Sequence, residues 1–335
     1  MIVHRLIIYV FLLAWGYETM AAKRDTLYID DLSDVFILRF QNTLRTTELD
    51  LTNKIYNKTL ELKPNDTRSI GFSFSYKWLS IGVGMSPGFM NKDNSVYGKT
   101  SRFDIQINTY ARKYLFNFYL QWYKGFYVSN PQKIVKGWEG TRYPLVPDAQ
   151  TANIGTNFYW IFNNKRFSYR SVYLYNEIQK RKAASFLFGG GFNLSSGYSD
   201  NYFLPQVWLE TVNTDTVPVI KKFGAMGMYL SGGYAFTLVS KGGKFYFNLS
   251  LILNLGPYIS SATLLRESGK KTTGNLAFGG ATDARMSFGA NIGKKNRFFI
   301  GITAVTMQYF YKLNNEYGVK SIIRNAKFFI GYRFI

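Results

Sequence analysis

The sequence predicts an all-β protein: a single transmembrane antiparallel β-barrel of about 14 strands, with about 12 as the alternative, preceded by a signal peptide. Two observations support this fold class. Apolar residues alternate with small or polar ones in many segments of about 9–11 residues, the length at which a tilted strand crosses a hydrocarbon layer. Beyond the N-terminus, no run approaches the ~18 consecutive apolar residues of a membrane helix, although hydrophobic residues make up 47% of the 335 residues.

The N-terminal residues have the order of a secretory signal. His4 and Arg5 precede an apolar run over residues 6–13, and the small residues Ala21 and Ala22 follow. A basic region, a short apolar core and a small-residue exit predict a signal peptide over residues 1–22. The apolar run is shorter than the ~20 residues of a spanning helix, so a cleaved signal is favoured over a membrane anchor.

Twelve later segments alternate with a period of two, which is typical of strands with one apolar face. In residues 103–108, for example, Phe103, Ile105 and Ile107 alternate with polar residues. The predicted strands are residues 70–76, 79–85, 103–108, 114–122, 154–162, 169–177, 185–194, 226–238, 245–255, 284–292, 298–311 and 326–335.

The connection lengths raise the predicted count from twelve to fourteen. Barrel strands alternate between short turns on one side and longer loops on the other, and this rule fails at the long interval 195–225. A weak extra strand at residues 206–211 restores the alternation, and another at residues 55–62 brings both termini to the periplasmic side. The predicted division is a signal peptide at 1–22, an N-terminal periplasmic segment or first strands at 23–66, and the barrel at 67–335.

Three features favour lipid rather than a second sheet against the apolar faces. Basic residues recur just outside the apolar segments, aromatic residues gather near the strand ends, and the chain stops within a strand whose last aromatic residue is Phe334. We therefore expect the cell outer membrane as the location, reached by export through the signal peptide. The expected partners are outer-membrane lipid and lipopolysaccharide, with the barrel-assembly machinery during insertion.

The composition excludes several kinds of active protein. The chain has 41 Lys and Arg against 20 Asp and Glu, a net charge of +21, with no Cys and one His. Because His4 lies in the predicted signal peptide, the mature chain lacks Cys/His metal sites, thiol nucleophiles and Ser-His pairs. We expect no enzyme, cofactor or metal. The basic residues are dispersed over many turns, so we also expect no nucleic-acid partner.

Polar residues on the inward faces are the candidate functional positions. They either line a channel, where the excess of Arg would favour anions, or pair with each other and fill the interior. The candidate lumen-facing residues are Asp104, Gln106, Arg170, Arg285, Asn291 and Arg333.

Several short motifs resemble a known family. They include Tyr76-Lys77-Trp78-Leu79-Ser80 with Pro87-Gly88-Phe89, Phe103-Asp104-Ile105-Gln106, Tyr123-Lys124-Gly125-Phe126-Tyr127, Ala184-Ser185-Phe186-Leu187-Phe188-Gly189 and Gly233-Tyr234-Ala235-Phe236. These residues resemble the family called domain of unknown function 4421 over most of the mature chain. The resemblance implies an outer-membrane barrel of Bacteroidetes with no assigned activity, and it supplies no catalytic residues.

Three roles remain open from the sequence. The first is a passive pore or transport scaffold for an unknown small molecule or ion. The second is a transporter of hydrophobic compounds in which residues 23–66 act as a hatch. The third is a surface-exposed binding or adhesion barrel that uses residues 124–151 and 195–225 as recognition loops.

Overall fold

The computed structural model describes residues 24–335 except 66, 77–78, 91–92, 136–137, 141, 209–212, 214–215 and 267–268. The predicted signal peptide, residues 1–22, lies outside the described residues. Strands account for most of what is described. They are β1 (Ile29–Asp31), β2 (Ile37–Asn53), β3 (Lys58–Pro64), β4 (Thr67–Tyr76), β5 (Leu79–Met85), β6 (Ser101–Tyr110), β7 (Tyr114–Val128), β8 (Leu145–Ile161), β9 (Glu177–Gln179), β10 (Ala183–Tyr198), β11 (Ile220–Val239), β12 (Phe245–Arg266), β13 (Gly269–Ile292), β14 (Phe298–Lys312) and β15 (Tyr317–Arg333).

The helices of the described chain are single turns. They are α1 (Asn94–Tyr97), α2 (Pro131–Ile134) and α3 (Arg170–Tyr173), with 3-10 turns at Gly88–Met90, Gln206–Trp208, Lys241–Gly243 and Lys294–Asn296. Among the described residues, no helix has the length and apolar character needed to cross a membrane.

Ten strands form a closed antiparallel ring in the order β2-β3-β7-β8-β10-β11-β12-β13-β14-β15, and β15 pairs with β2 to complete it. The closing pair runs the full length of β2, from Ile37 opposite Arg333 to Asn53 opposite Tyr317. Three further strands attach to this ring: β4 pairs with β2, β5 with β4, and β6 with β7. This arrangement confirms the predicted all-β barrel, whereas the count of fourteen strands is not confirmed.

Two predicted wall strands are wrong. Residues 169–177 form α3 and the start of β9 inside the barrel, because β8 and β10 pair directly with each other and leave no place between them. Residues 206–208 form a 3-10 turn rather than the start of an extra strand. Once 169–177 is removed from the wall, the long interval before β11 falls on the side where a loop belongs, so the extra strand is no longer required.

The interval between the predicted strands 245–255 and 284–292 is not a loop. β12 and β13 instead form a tall hairpin that pairs from Phe245 opposite Ala290 to Arg266 opposite Gly269. Alternation persists in this polar stretch, since Tyr258 and Ala262 are buried while Ile259 is exposed. The period of two was therefore present in the sequence, but Gly and Ser residues weakened its apolar signal.

The two faces of the wall have opposite character. On β12, Leu251 and Leu253 are more than half exposed on the outer face, whereas Asn248 and Ser250 on the inner face are fully buried. On this strand the inner face is thus polar and buried, and the outer face is apolar and exposed. We call the end with the connections 111–113, 240–244 and 293–297 the turn end, and the opposite end the loop end.

Glycines on the wall make room for aromatic side chains in the lumen. A Cβ at Gly155 would collide with the phenol of Tyr119, whereas nothing lies within 4 Å of the corresponding position at Gly232. We therefore expect Gly155→Ala to destabilise the folded barrel by about 1–3 kcal/mol through overpacking. Urea unfolding in detergent micelles should show this loss, with Gly232→Ala as the matched control. Equal unfolding midpoints for the two variants would contradict the expectation.

Candidate functional site

Tyrosines and asparagines fill the middle of the lumen. Tyr119 donates its hydroxyl proton to Tyr309 across 2.7 Å, and the Asn193 side-chain amide donates to Tyr119 across 2.6 Å. Tyr311 donates to the amide oxygen of Asn193, and Tyr229 lies 3.3 Å from the Tyr311 hydroxyl. These residues come from four strands of the ring, so hydrogen-bonded side chains join the wall across its interior.

A buried ion pair lies beside this layer. Arg285 is 1% exposed and Asp283 is 1% exposed, and the guanidinium donates to both carboxylate oxygens across 3.0 and 2.6 Å. Tyr159 adds a third hydrogen bond to Asp283 across 3.1 Å. Arg285 is one of the predicted lumen-facing residues. Because Asp283 compensates its charge inside the lumen, that charge is not available to a solute.

The turn end is closed by a plug, which we define as residues 163–182. Its α3 lies against the inner face of the wall, where Ser287 donates to the Val172 carbonyl across 3.2 Å and Tyr169 donates to Ser250 across 2.8 Å. Arg333 donates to the Tyr175 carbonyl across 2.8 Å. The aromatic plug residues are buried against wall residues, so the turn end of the lumen has no open passage through the described chain.

An N-terminal strap, residues 24–36, fastens the plug. Its β1 pairs with β9 of the plug. Arg24 donates to both oxygens of Glu177 across 3.1 and 3.0 Å, and Arg112 and Arg170 lie 3.6 and 3.7 Å from the same fully buried carboxylate. Three arginines from separate segments therefore converge on one acid of the plug.

The strap also carries an ionised carboxylate at the mouth of the lumen. Burial acts to raise the pKa of Asp31, but hydrogen bonds from the hydroxyl and amide of Ser33 and the charge of Arg112 leave that pKa below its usual value. Asp31 is therefore negative at neutral pH and keeps its ion pair with Arg112.

The loop end is covered by folded loops. Phe203, Leu204 and Trp208 from the β10–β11 connection are buried in one cluster with wall residues, and α2 adds Ile134. Asp148 accepts hydrogen bonds from Ser199 and from the Asn201 amide across 2.8 and 2.9 Å. The described parts of the expected recognition loops are thus packed over the end of the barrel.

The predicted lumen-facing residues occupy three separate places. Asp104 and Gln106 lie on β6, where the Gln106 amide is 3.4 Å from the Asp104 carboxylate. Arg170 lies in the plug rather than on a wall strand. Asn291 donates to the Gly243 carbonyl across 2.9 Å at the turn end, and Arg333 is fully buried over the Phe299 ring. The structure does not gather the six residues into one site.

Between β5 and β6 the wall has a slot. Among the described residues, no backbone pairing joins these two strands, although each pairs with its other neighbour. Val83 and Met85 on one edge are 73% and 69% exposed, and Phe103 and Ile107 on the other edge are 52% and 51% exposed. The outward-facing residues on both edges of the slot are therefore apolar, like those on the rest of the outer face of the barrel.

The loop end of the slot is closed by hydrogen bonds. There β3 pairs directly with β7 from Leu62 to Pro64. The backbone N–H of Asn65 donates to the Thr100 hydroxyl across 2.8 Å, and that hydroxyl donates to the Gly125 carbonyl across 2.7 Å. Gly125 has a φ of 91°, and a Cβ there would collide with the Lys99 carbonyl, so the bend that brings β7 to β3 requires glycine.

A small cavity lies behind the slot. Its volume is about 40 Å³, and its lining comes from β6, β14, β15 and the plug. The Asn325 amide on β15 donates to Gln106 on β6 across 3.1 Å, which joins the two sides.

The closed antiparallel wall and its apolar exterior together define a class. Large apolar side chains stand exposed around the ring, including Phe188, Leu230, Leu253, Phe288 and Ile330. Only lipid accommodates such a continuous surface on a closed sheet with a polar interior. The protein is a transmembrane β-barrel. The chain belongs to the family described as domain of unknown function DUF4421, which matches residues 23–334 and confirms the resemblance found in the sequence.

Solved structures similar to this chain are barrels of several activities. The outer membrane protease OmpT from Escherichia coli is 8% identical with a TM-score of 0.39, covering 91% of this chain and 98% of OmpT. The translocator domain of the autotransporter NalP from Neisseria meningitidis is 8% identical with a TM-score of 0.33, covering 89% and 88%. The P. putida toluene transporter TodX is 7% identical with a TM-score of 0.25, covering 90% of each. No curated protein sequence matches this chain.

Loss of the strap's arginine should loosen the plug. Arg24→Gln leaves the buried Glu177 with two longer ion pairs, and breaking a buried pair typically costs about 3–5 kcal/mol. Because the chain has no Cys, Ser171→Cys introduces a unique buried reporter in the plug. We expect maleimide labelling of this reporter to accelerate in the Arg24→Gln background and to stay slow with the control Lys133→Gln. Equal labelling rates would show that the strap does not hold the plug.

The lumen ion pair offers a second test. Asp283→Leu leaves Arg285 buried without its carboxylate, which we expect to cost about 3–5 kcal/mol of folding free energy. The double variant with Arg285→Met removes both charges and should recover most of this loss. Unfolding midpoints in urea measure both effects, and a double variant as unstable as the single one would overturn the assignment.

Proposed function

We propose that this protein is an outer-membrane barrel that moves small hydrophobic or amphipathic molecules through its wall slot, and that it is not a passive aqueous pore. The observation that carries the proposal is the combination of a filled lumen with an unpaired, apolar-edged interval between β5 and β6. The outer membrane is proposed because exported proteins cross it with closed barrels of this kind.

The occupied interior supports a route through the wall. Buried clusters lie at the loop end, in the middle and at the turn end, and each joins side chains from several strands. Hydrated ions would need a continuous wet path along the axis, whereas a lipid-soluble molecule can pass between the slot and the space behind it. The packed loops at the loop end give less support to an adhesion role.

In this proposal the plug and strap form the hatch. Residues 37–64 lie largely in the wall as β2 and β3, which leaves residues 24–36 as the part of the N-terminal segment that lies outside the wall and pairs with the plug. Movement of the plug would connect the space behind the slot to the turn end, and the Arg24–Glu177 pair would resist that movement.

Cross-linking across the slot tests the function. Met85→Cys and Ile105→Cys place one thiol on each exposed edge, and a flexible bis-maleimide then joins β5 to β6. We expect uptake of the hydrophobic dye N-phenyl-1-naphthylamine by cells that display the protein to fall after cross-linking. The control pair Leu251→Cys and Met286→Cys joins two strands that are already hydrogen-bonded, so its cross-link should leave uptake unchanged.

Ion conductance provides the complementary measurement. In planar bilayers the intact protein should show no steady open-channel current, because its lumen is occluded. A large constant conductance, or dye uptake that the slot cross-link does not reduce, would contradict transport through the wall.

A further inference from the structure

Three basic side chains lie on the inner face of β2, which pairs with β4, and of β15, which pairs with the other edge of β2. Arg39 and Arg45 belong to β2, and Lys327 belongs to β15, where it stands opposite the buried Thr43. They alternate with outward residues such as Phe328, so all three are directed to the lumen. None of the three is among the predicted lumen-facing residues.

These cations lack anionic partners in the described chain. Arg39 donates to neutral acceptors, the Ser73 hydroxyl across 2.9 Å and the Tyr173 carbonyl across 3.0 Å. Among the described residues, no hydrogen bond or ion pair reaches Lys327, and the Arg45 Nε is buried without an acceptor. The charges of Arg39 and Arg45 act directly on Lys327. All three side chains are partly buried, and charges that are withdrawn from water without an anionic partner are costly.

Among the described residues, Asp104 on β6 forms no ion pair with Arg39, Arg45 or Lys327. Asp104 accepts hydrogen bonds from three neutral donors, namely Tyr123 across 2.7 Å, Gln121 across 3.1 Å and Gln106 across 3.4 Å. The inner surface near the slot therefore keeps an excess of positive charge.

The cavity on the inner side of β6 gives an anion room beside Lys327. Lys327 lines it together with Gln106, Asn108 and Tyr173. A water molecule needs about 10–15 Å³ of such volume, so the cavity of about 40 Å³ has room for two or three groups of that size. A carboxylate fits this space, whereas the glycerophosphate headgroup of a two-chain lipid is too large.

The outside of the slot suits an acyl chain. Val83, Met85, Phe103 and Ile105 on its edges are exposed and apolar. A molecule with one charged end and one apolar end can therefore place its head at the cations and its tail between the edges, toward the lipid.

We infer that the slot and the cluster Arg39–Arg45–Lys327 form a binding site for a single-chain amphiphile with a carboxylate head, such as a long-chain carboxylic acid. This inference rests on the proposed function and names its substrate class. The carboxylate supplies the negative charge that the cluster lacks, and the Lys327 ammonium donates to it. Arg39 also holds the plug through Tyr173, so an anion that draws Arg39 away would weaken that contact.

Binding of a fluorescent carboxylate tests the inference. The probe is 12-(9-anthroyloxy)stearic acid, its neutral comparison is the methyl ester, and the full processed chain is held in a neutral maltoside detergent. We expect the acid to bind about tenfold or more tightly than the ester, as charge-assisted hydrogen bonds imply. Lys327→Met should remove this preference while leaving ester binding unchanged, and Lys327→Arg should retain it. Lys270→Met, an exposed site at the loop end, is the control.

The outcomes separate the two proposals. Equal binding of acid and ester, or an acid preference that survives both Lys327→Met and Arg45→Gln, would overturn the anionic site. Transport through the slot would still be decided by the cross-linked uptake measurement. Competition by phosphatidylglycerol as strong as that by unlabelled stearate would overturn the carboxylate assignment. Detection of neither ligand would overturn the site directly.

Discussion

Backbone hydrogen bonding in hydrocarbon is the constraint on which this structure depends. A strand exposed to lipid has no water to satisfy its amides and carbonyls, so a membrane-spanning sheet must close on itself. Here β15 pairs with the whole of β2, and that contact turns an open sheet into a ring. The slot is the exception: β5 and β6 each have one unpaired edge among the described residues. An opening of this kind in an otherwise closed wall calls for a functional explanation.

The interior shows how a chain without Cys or catalytic His fills a barrel. Phenols, amides and the Asp283–Arg285 ion pair form hydrogen bonds across the lumen, so polar inward faces coexist with a closely packed core. Some buried charges in the lumen have a partner of opposite charge and others do not. Glu177 meets three arginines and Arg285 meets Asp283, whereas the basic cluster near the slot meets no acid. That contrast is why the cluster, and not the other buried charges, is interpreted as a binding site.

Much of the fold followed from the period of two, because alternation directly reports the two faces of a strand. The error at residues 169–177 arose because Tyr169, Tyr173 and Tyr175 alternate as they would in a strand, yet they pack inside the lumen as a plug. Alternation records burial on one side and does not reveal whether the neighbour is a strand or a cavity. The wall strand β2 alternates with the same period of two, but its Arg and Thr residues make the alternation of apolar and polar positions harder to recognise in the sequence.

The candidate site was less predictable than the fold. Asp104, Gln106 and Arg285 are directed inward, as alternation required, but several of the groups that meet in the lumen come from distant strands, as Asn325 meets Gln106 and Tyr159 meets Asp283. Register between distant strands decides which polar groups meet, and no local pattern encodes it. The missing pairing between β5 and β6 likewise leaves no signature in either strand, since both have ordinary apolar alternation.

The pairing of β2 with β15 has a consequence for biogenesis. The first strand of the ring cannot pair with its neighbour until β15 has been synthesised, so closure of the ring depends on the last strand of the sheet. The plug lies midway along the chain and sits within the finished ring. It must consequently be enclosed while the nascent sheet is still an open ribbon, and any machinery that seals this ring acts on a sheet already curled around its own contents.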